Sequence, residues 1–213
     1  MKHIVLIVTL AILSMYIQAQ GTINDIDSVI VLQEIPVFAK QGISVINSTK
    51  GTNTIHVSGK GKSSIVSKVT VKPSSTYRIY ALEFYFNYIW KGFDGEGFLI
   101  KPKILSSENG LPSKNLLSSN KTYFIGNSVN EILTINLDDY DLVIKDNDSF
   151  FVGIDFLPAN GINSYEDFNV TMVPLRKALN TSFIKGTCNN CNYAPFNIDS
   201  NNGISLKYNI YYK

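Results

Sequence analysis

Residues 77–105, YRIYALEFYFNYIWKGFDGEGFLIKPKIL, decide the fold. Two runs rich in aromatic and β-branched residues flank a segment with three glycines, residues 91–97. Such residues favour β-strands, and glycine tolerates the backbone angles of tight turns. One side of the first strand is wholly apolar or aromatic and consists of Leu82, Phe84, Phe86 and Tyr88. The stretch therefore predicts a long antiparallel β-hairpin that turns at 92–97 and packs this side against a core.

Short strand-like segments continue from residue 55 to the last residues. They are predicted at 55–58, 64–71, 77–88, 97–104, 121–125, 131–136, 150–157, 168–174 and 204–212. Because no stretch has a sustained apolar period of 3.6 residues, we expect little helix. Many short strands separated by Gly, Asn and Pro are typical of sandwich folds. We predict an all-β domain over residues 55–213, a two-sheet antiparallel β-sandwich that is jelly-roll-like.

The first residues have the layout of a secretory signal peptide. Lys2 and His3 precede a mostly apolar run, residues 4–17, and Ala19 supplies a small residue for cleavage. The run is shorter than the about 20 residues of a comfortable membrane span, although an uncleaved anchor stays an alternative. We predict a signal peptide over residues 1–19 and an exported protein without a membrane span after cleavage. Its compartment would be the periplasm, the cell surface or the extracellular space.

Residues 20–54 are predicted to form an N-terminal arm or linker with an edge strand. Two apolar segments, 29–32 and 35–38, have strand character, but Pro36 cannot donate to a sheet ladder. The polar segment 47–53 marks the border of the main domain. A strand donated by the arm would let subunits assemble by edge-strand addition, which is one hypothesis for the function.

The overall charge bears on the class of partner. The formal net charge is only +2, which is too small to indicate nucleic acid or an anionic membrane as partner. Hydrophobic residues make up 45% of the chain, enough to build a core. For an exported chain of this kind we predict a protein or glycan partner.

Several motifs follow one another in a recognisable order. They are Gly59-Lys60-Gly61, Ser67-Lys68-Val69, Leu82–Asn87, Glu108–Leu117, Ile135–Leu142, Asp148–Phe156 and Ser205–Lys213. In this order they resemble an uncharacterised exported β-sandwich domain of Bacteroidetes proteins, which often follows a carboxypeptidase-regulatory-like domain. The resemblance covers residues 55–213 and implies the sandwich fold without supplying catalytic residues. Residues 26–40 resemble only the linker that usually follows the regulatory-like domain.

Catalytic groups are scarce in the sequence. Once His3 leaves with the signal peptide, His56 is the only imidazole, and a Ser-His-Asp or Cys-His site would need it as its base. It lies in a strand-like segment without a nucleophile motif. Whether the protein is an enzyme is therefore uncertain, and the sequence favours a non-catalytic binding module. No cofactor is predicted.

Cys188 and Cys191 form a lone C-x-x-C. In an exported protein this spacing favours a small loop-closing disulfide, worth about 2 kcal/mol on the chain-entropy estimate. A redox pair, half of a zinc site shared with a second chain, and free thiols stay alternatives.

The candidate ligand-binding residues, Trp90, Phe93, Asp94 and Glu96, cluster in the glycine-rich turn. Trp90 is the only tryptophan of the chain, and with Tyr85, Tyr88 and Phe93 it offers a stacking surface for a sugar, although core packing also explains Tyr88. Asp94 and Glu96 are close enough in sequence for the paired carboxyls of a glycosidase, about 5–10 Å apart. Almost any acidic turn meets that spacing. The alternative function is thus a carbohydrate-binding or glycan-processing protein.

Acidic residues in the middle of the chain supply oxygen atoms that suit Ca²⁺. They are Asp138, Asp139, Asp141, Asp146, Asn147 and Asp148. The spacing does not match the usual calcium loop, and ordinary Asx turns explain the same residues. No metal site is predicted, and Ca²⁺ stays an alternative.

Overall fold

The computed structural model describes residues 42–48, 54–60, 63–86, 97–126, 131–145, 149–157, 167–186 and 191–213. Within these ranges the chain forms fifteen β-strands and one short 3-10 helix, and the strands that pair are antiparallel. The predicted all-β sandwich class is confirmed. No helix in these ranges is long and apolar enough to cross a membrane.

The strands are numbered in chain order. They are β1 (Ser44–Asn47), β2 (Ile55–Lys60), β3 (Ser63–Thr70), β4 (Tyr77–Phe86), β5 (Gly97–Glu108), β6 (Leu111–Asn115), β7 (Tyr123–Gly126), β8 (Glu131–Asn136), β9 (Val143–Ile144), β10 (Ser149–Leu157), β11 (Asp167–Arg176), β12 (Ser182–Lys185), β13 (Ala194–Pro195), β14 (Asn202–Leu206) and β15 (Tyr208–Tyr212). The 3-10 helix spans Asp138–Tyr140. Asn109 and Gly110 form the turn between β5 and β6, and Pro112 lies in β6 on the edge of a sheet, where proline is tolerated.

Two large sheets form the layers of the sandwich. A five-stranded sheet has the order β1-β15-β4-β8, with β9 also pairing with β4. A seven-stranded sheet has the order β13-β12-β3-β10-β5-β6, with β7 also pairing with β5. A smaller sheet, β14-β11-β2, continues the five-stranded one because a single residue, Lys207, separates β14 from β15. The Lys207 N–H donates to the Thr171 carbonyl of β11, and its own carbonyl accepts from Tyr85 of β4.

The predicted hairpin over residues 77–105 is wrong. β4 pairs with β15 and β8, whereas β5 pairs with β10, β6 and β7, so the two strands belong to opposite layers. They face each other across the core, where the ring centroids of Phe86 and Phe98 are 5.9 Å apart. The apolar side of β4 was correctly identified, since Leu82, Phe84 and Phe86 are all buried. Alternation identifies which side of a strand is buried, but it does not identify the strand's lateral neighbour.

The core lies between the layers, and β10 is its most buried strand. The strand predicted at 150–157 is β10, which lies between β3 and β5. Its even-numbered residues face the main core. On the other side, Phe151 joins a second cluster with Val66, Leu105 and Phe183, against which Tyr193 packs. Burial on both sides explains why β10 is a continuous apolar run rather than an alternating one.

The edge of the five-stranded sheet is β1, which the sequence places in the N-terminal arm. Its four residues pair in register with β15, from Ser44 opposite Tyr212 to Asn47 opposite Asn209. The C-terminal part of the arm therefore belongs to the sheet. The signal peptide and the apolar segments 29–32 and 35–38 lie outside the described residues, so edge-strand assembly stays a prediction.

Candidate ligand-binding face

The residues singled out in the sequence mostly lie outside the described part of the chain. Trp90, Phe93, Asp94 and Glu96 all fall within 87–96, and the Asp146–Asp148 part of the calcium alternative falls in the gap at 146–148. They stay predictions. His56 is placed in β2, opposite Thr171 of β11. No group of three or more metal-ligating side chains occurs among the described residues.

The two cysteines are only half described. Cys188 lies outside the described residues, whereas Cys191 is half-buried and is not a free thiol. The Cys188–Cys191 disulfide stays a prediction. Cys191 borders an open groove of about 350 Å³ between the start of β6, Lys185 and residues 191–193. The groove has mixed polar and apolar walls and no converging set of polar groups.

The side chains of β4 alternate between the two sides of the sheet, and a shift of register changes the phase of this alternation between Ile79 and Ala81. Ala81 pairs with Tyr211, but the next pair is Ile79 with Tyr212, so the register changes by one residue. Such an irregularity redirects side chains. The core side of β4 consists of Tyr77, Ile79, Leu82, Phe84 and Phe86. The opposite side carries Arg78, Tyr80, Glu83 and Tyr85, which are not part of the core.

We call this opposite side of the five-stranded sheet the outer face. Besides the four residues of β4, it includes Thr134 of β8, Asn209 and Tyr211 of β15, and the adjoining Lys207. The register of the strands brings these residues together on one side of the sheet. Glu83 lies directly between Asn209 on one neighbouring strand and Thr134 on the other, and paired residues of antiparallel strands project to the same side.

Glu83 is the centre of a hydrogen-bond network on the outer face. Its side chain is buried, with a relative exposure of 9%. The Asn209 amide donates to Glu83 Oε2 at 2.7 Å and to the Tyr85 hydroxyl at 2.8 Å, so both of its N–H groups are used. Thr134 Oγ1 lies 3.5 Å from Glu83 Oε1. The carboxylate is thus held by neutral donors from the two neighbouring strands.

The tyrosines on either side of Glu83 are kept in their neutral form. Burial, followed by the charge of Glu83, raises the pKa of Tyr85 above its ordinary value. Burial, followed by a hydrogen bond to Glu83 and by its charge, raises the pKa of Tyr211 to about 12. Both hydroxyls therefore remain protonated at neutral pH and can donate hydrogen bonds.

Cations lie against tyrosine rings toward both ends of the outer face. Lys207 Nζ is 4.6 Å from the centroid of the Tyr85 ring, and the Arg78 guanidinium is 5.6 Å from that of Tyr80. These distances are within the range of cation–π attraction. Arg78 also forms an ion pair with Asp141 at 3.0 Å, in which both side chains are at least half exposed. The face thus combines aromatic rings, neutral donors and positive charge.

The arrangement suits binding better than acid–base chemistry. Glycoside hydrolysis uses two carboxyl groups that flank the scissile bond. In the described part of the chain, Glu83 is the one carboxylate of the network, and neutral side chains from three strands surround it. Polar groups held by hydrogen bonds next to aromatic rings are characteristic of a pre-organised binding surface.

The sequence did not single out this face as a site. Glu83 and Tyr85 were recognisable as the less apolar side of a strand, but their partners Asn209 and Tyr211 are more than a hundred residues away in the chain. The sequence signal that could have indicated these partners is the alternation in Tyr208–Tyr212, where Asn209 and Tyr211 alternate with core residues. Only the pairing of β4 with β15 brings the two sets together.

Comparison with known proteins shows the fold and no family. No family model matches the chain, and no curated protein matches it. Among solved structures, the chain is similar to the clostridial cysteine protease Cwp84 after propeptide cleavage, with a TM-score of 0.54 and 11% sequence identity over 80% of this chain. The match covers 40% of the Cwp84 chain. At this identity the likeness supports the β-sandwich architecture and nothing more specific.

A second similar structure contains the cysteine protease and lectin-like domains of Cwp84, a surface layer associated protein of Clostridium difficile. Its TM-score is 0.48 and its identity 10%, over 74% of this chain and 36% of the other. The chain described here therefore spans well under half of the length of these proteins.

Proposed function

We propose that this chain is an exported, non-catalytic module that binds a glycan through the outer face of the five-stranded sheet. The observation that carries the proposal is the network in which Asn209 of β15 donates to both Glu83 and Tyr85 of the neighbouring strand β4. It fixes an aromatic ring and several polar groups on one side of the sheet.

The chemistry of the face matches that of a sugar. A sugar ring presents C–H groups on its faces, which pack on aromatic rings, and hydroxyls on its edge, which exchange hydrogen bonds with amides and hydroxyls. The rings of Tyr80, Tyr85 and Tyr211 offer the first kind of contact. Thr134 and the carbonyl oxygen of the Asn209 side chain offer the second. Because the network already orders these side chains, little conformational entropy remains to be lost on binding.

Export and the absence of catalysis rest on the sequence. The apolar run 4–17 followed by Ala19 supports secretion, which would place the protein where glycans are abundant. The single histidine of the mature chain, His56, supports a binding role over hydrolysis.

The test is a glycan array probed with the chain from Gln20 to Lys213, followed by calorimetry on the glycans that bind. Tyr85→Ala should weaken binding at least tenfold, which corresponds to about 1.4 kcal/mol. The matched control is Tyr193→Ala, which removes another half-buried tyrosine, from the opposite sheet, and should leave the affinity unchanged.

Two outcomes would contradict the proposal. If no glycan on the array binds, the glycan function is wrong. If binding is lost on Trp90→Ala and retained in Tyr85→Ala, the ligand is bound by residues 90–96 and the outer face is not the site. Circular dichroism of each variant checks that the fold is retained.

A further inference from the structure

We infer that the glycan recognised by the outer face is an acidic polysaccharide, an anionic group of which is bound by the ammonium of Lys207. This inference rests on the proposed function and adds the class of the ligand. It is drawn from how the charged side chains of the face are paired, spaced and buried.

Lys207 is the cation at one end. Two other cations near the sheets form ion pairs, Lys103 with Asp155 at 2.8 Å and Arg78 with Asp141 at 3.0 Å. The ion pairs between described residues do not include Lys207, whose ammonium instead lies over the Tyr85 ring. The ring fixes the direction of the side chain without neutralising its charge. A half-buried ammonium held in this way suits an anionic group of a ligand.

The other end of the face carries Arg78 and Lys213. Each donates its backbone N–H to the carbonyl of the other, at 3.0 Å in both directions. Residues that exchange both bonds lie directly opposite each other and project to the same side of the sheet. Asp141 offsets the charge of Arg78, and in a chain that ends at Lys213 the terminal carboxylate offsets that of Lys213, so this end has little net charge.

The centre of the face has a different character from its ends. Lys207 and Lys213 are six residues apart along β15, which is about 20 Å of extended strand. Between them lie Tyr85, Tyr211 and the neutral donors around Glu83. Glu83 lies below these donors and is hydrogen-bonded by them, whereas Lys207 forms no ion pair with another described residue. An anionic group on a sugar can pair with this ammonium, which a neutral sugar cannot do.

The experiment measures the affinity of the chain from Gln20 to Lys213 for three polymers. They are polygalacturonate, the same polymer fully methyl-esterified and therefore neutral, and dextran sulfate. We expect polygalacturonate or dextran sulfate to bind at least tenfold more tightly than the neutral polymer. Raising the salt from about 0.05 M to 0.5 M should remove most of that difference, since salt screens exposed charges. The two acidic polymers distinguish carboxylate from sulfate recognition.

Lys207 variants provide the residue-level test. Lys207→Gln should lower the affinity for the preferred acidic polymer at least tenfold and leave that for the neutral polymer within twofold. Lys207→Arg, which keeps the charge, should retain most of the affinity. The matched control is Lys114→Gln, which removes an exposed lysine from β6 in the opposite layer and should have no effect.

Distinct results would overturn the inference and the proposed function. If the neutral polymer binds as tightly as the acidic ones, or if Lys207→Gln and Lys114→Gln weaken binding equally, the acidic-ligand inference is wrong. In either case, dependence on Tyr85 would leave the glycan proposal intact. Failure to bind these polymers and every glycan of the array removes both.

Discussion

Ser67 offers the sharpest test of how the layers of this sandwich are joined. It lies in β3 of the seven-stranded sheet and is fully buried. Its hydroxyl accepts a hydrogen bond from the backbone N–H of Leu206 in β14, at 2.8 Å, and is 2.6 Å from the hydroxyl of Ser182, which is also fully buried. The bond to Leu206 crosses from one sheet to another. We expect Ser67→Ala to be strongly destabilising although it removes one atom.

The expected decrease in the free energy of unfolding follows from the polar groups that the substitution leaves without a hydrogen-bond partner. A buried donor that loses its acceptor costs about 1–3 kcal/mol, and Leu206 loses its bond to Ser67. The Ser182 hydroxyl loses a second, weaker interaction of about 1 kcal/mol. The sum is about 2–4 kcal/mol in the free energy of unfolding. For a domain of this size, each kcal/mol lowers the melting temperature by about 2–4 °C, so we expect a decrease of about 5–15 °C.

Urea unfolding followed by circular dichroism measures the effect. Ser118→Ala, at an exposed serine, is the control and should change stability by less than about 0.5 kcal/mol. Because the Ser67–Ser182 interaction is lost in either single variant, Ser67→Ala combined with Ser182→Ala should cost less than the sum of the two. If Ser67→Ala costs no more than the control, the described contact between the sheets is wrong.

Two further predictions concern the close approach of β10 to β3 and the dependence of stability on pH. Gly153→Ala should lower the free energy of unfolding by about 2–3 kcal/mol or more, because a Cβ there would meet the Ile65 carbonyl and lie 2.7 Å from Val66 Cα. The control is Gly186→Ala, which has open space around it and should be neutral in the same urea assay. The pKa of Tyr211 is about 12 in the folded state against about 10 in the unfolded chain. The unfolded state therefore releases the proton first as the pH rises, and the free energy of unfolding should fall between pH 10 and pH 12. Tyr211→Phe should flatten that fall in urea midpoints measured across this range, and an unchanged slope would contradict the assignment.

The class of the fold could be predicted from the sequence because the burial of a strand imposes a recognisable pattern of apolar residues on it. Strands near 131–136 and 150–157 were predicted within a residue of their observed bounds, since each carries an uninterrupted alternating or apolar pattern. The short strands β1, β6, β12 and β13 were missed. Their burial is slight or confined to few residues, so they leave little apolar pattern for a sequence to show.

The pairing of strands within the sheets could not be predicted from the sequence. The glycine-rich segment after Tyr85 indicated a hairpin, yet the strands before and after it lie in opposite layers. Both strands have a strongly apolar side, and this property is equally compatible with lateral pairing and with packing face to face. The outer face was missed for the same reason, since it exists only through the register of β4 with a strand 124 residues away in sequence from Tyr85.

Stability and the proposed site are connected through one continuous strand. Ser67 holds the N–H of Leu206, and the next residue is Lys207, whose backbone bonds to both β11 and β4. The buried bond therefore fixes the position at which the chain passes from the small sheet into the five-stranded sheet. That position determines where the Lys207 ammonium meets the Tyr85 ring. A Ser67→Ala variant that still folds should consequently bind the ligand more weakly, although Ser67 itself lies in the interior and touches no part of the outer face.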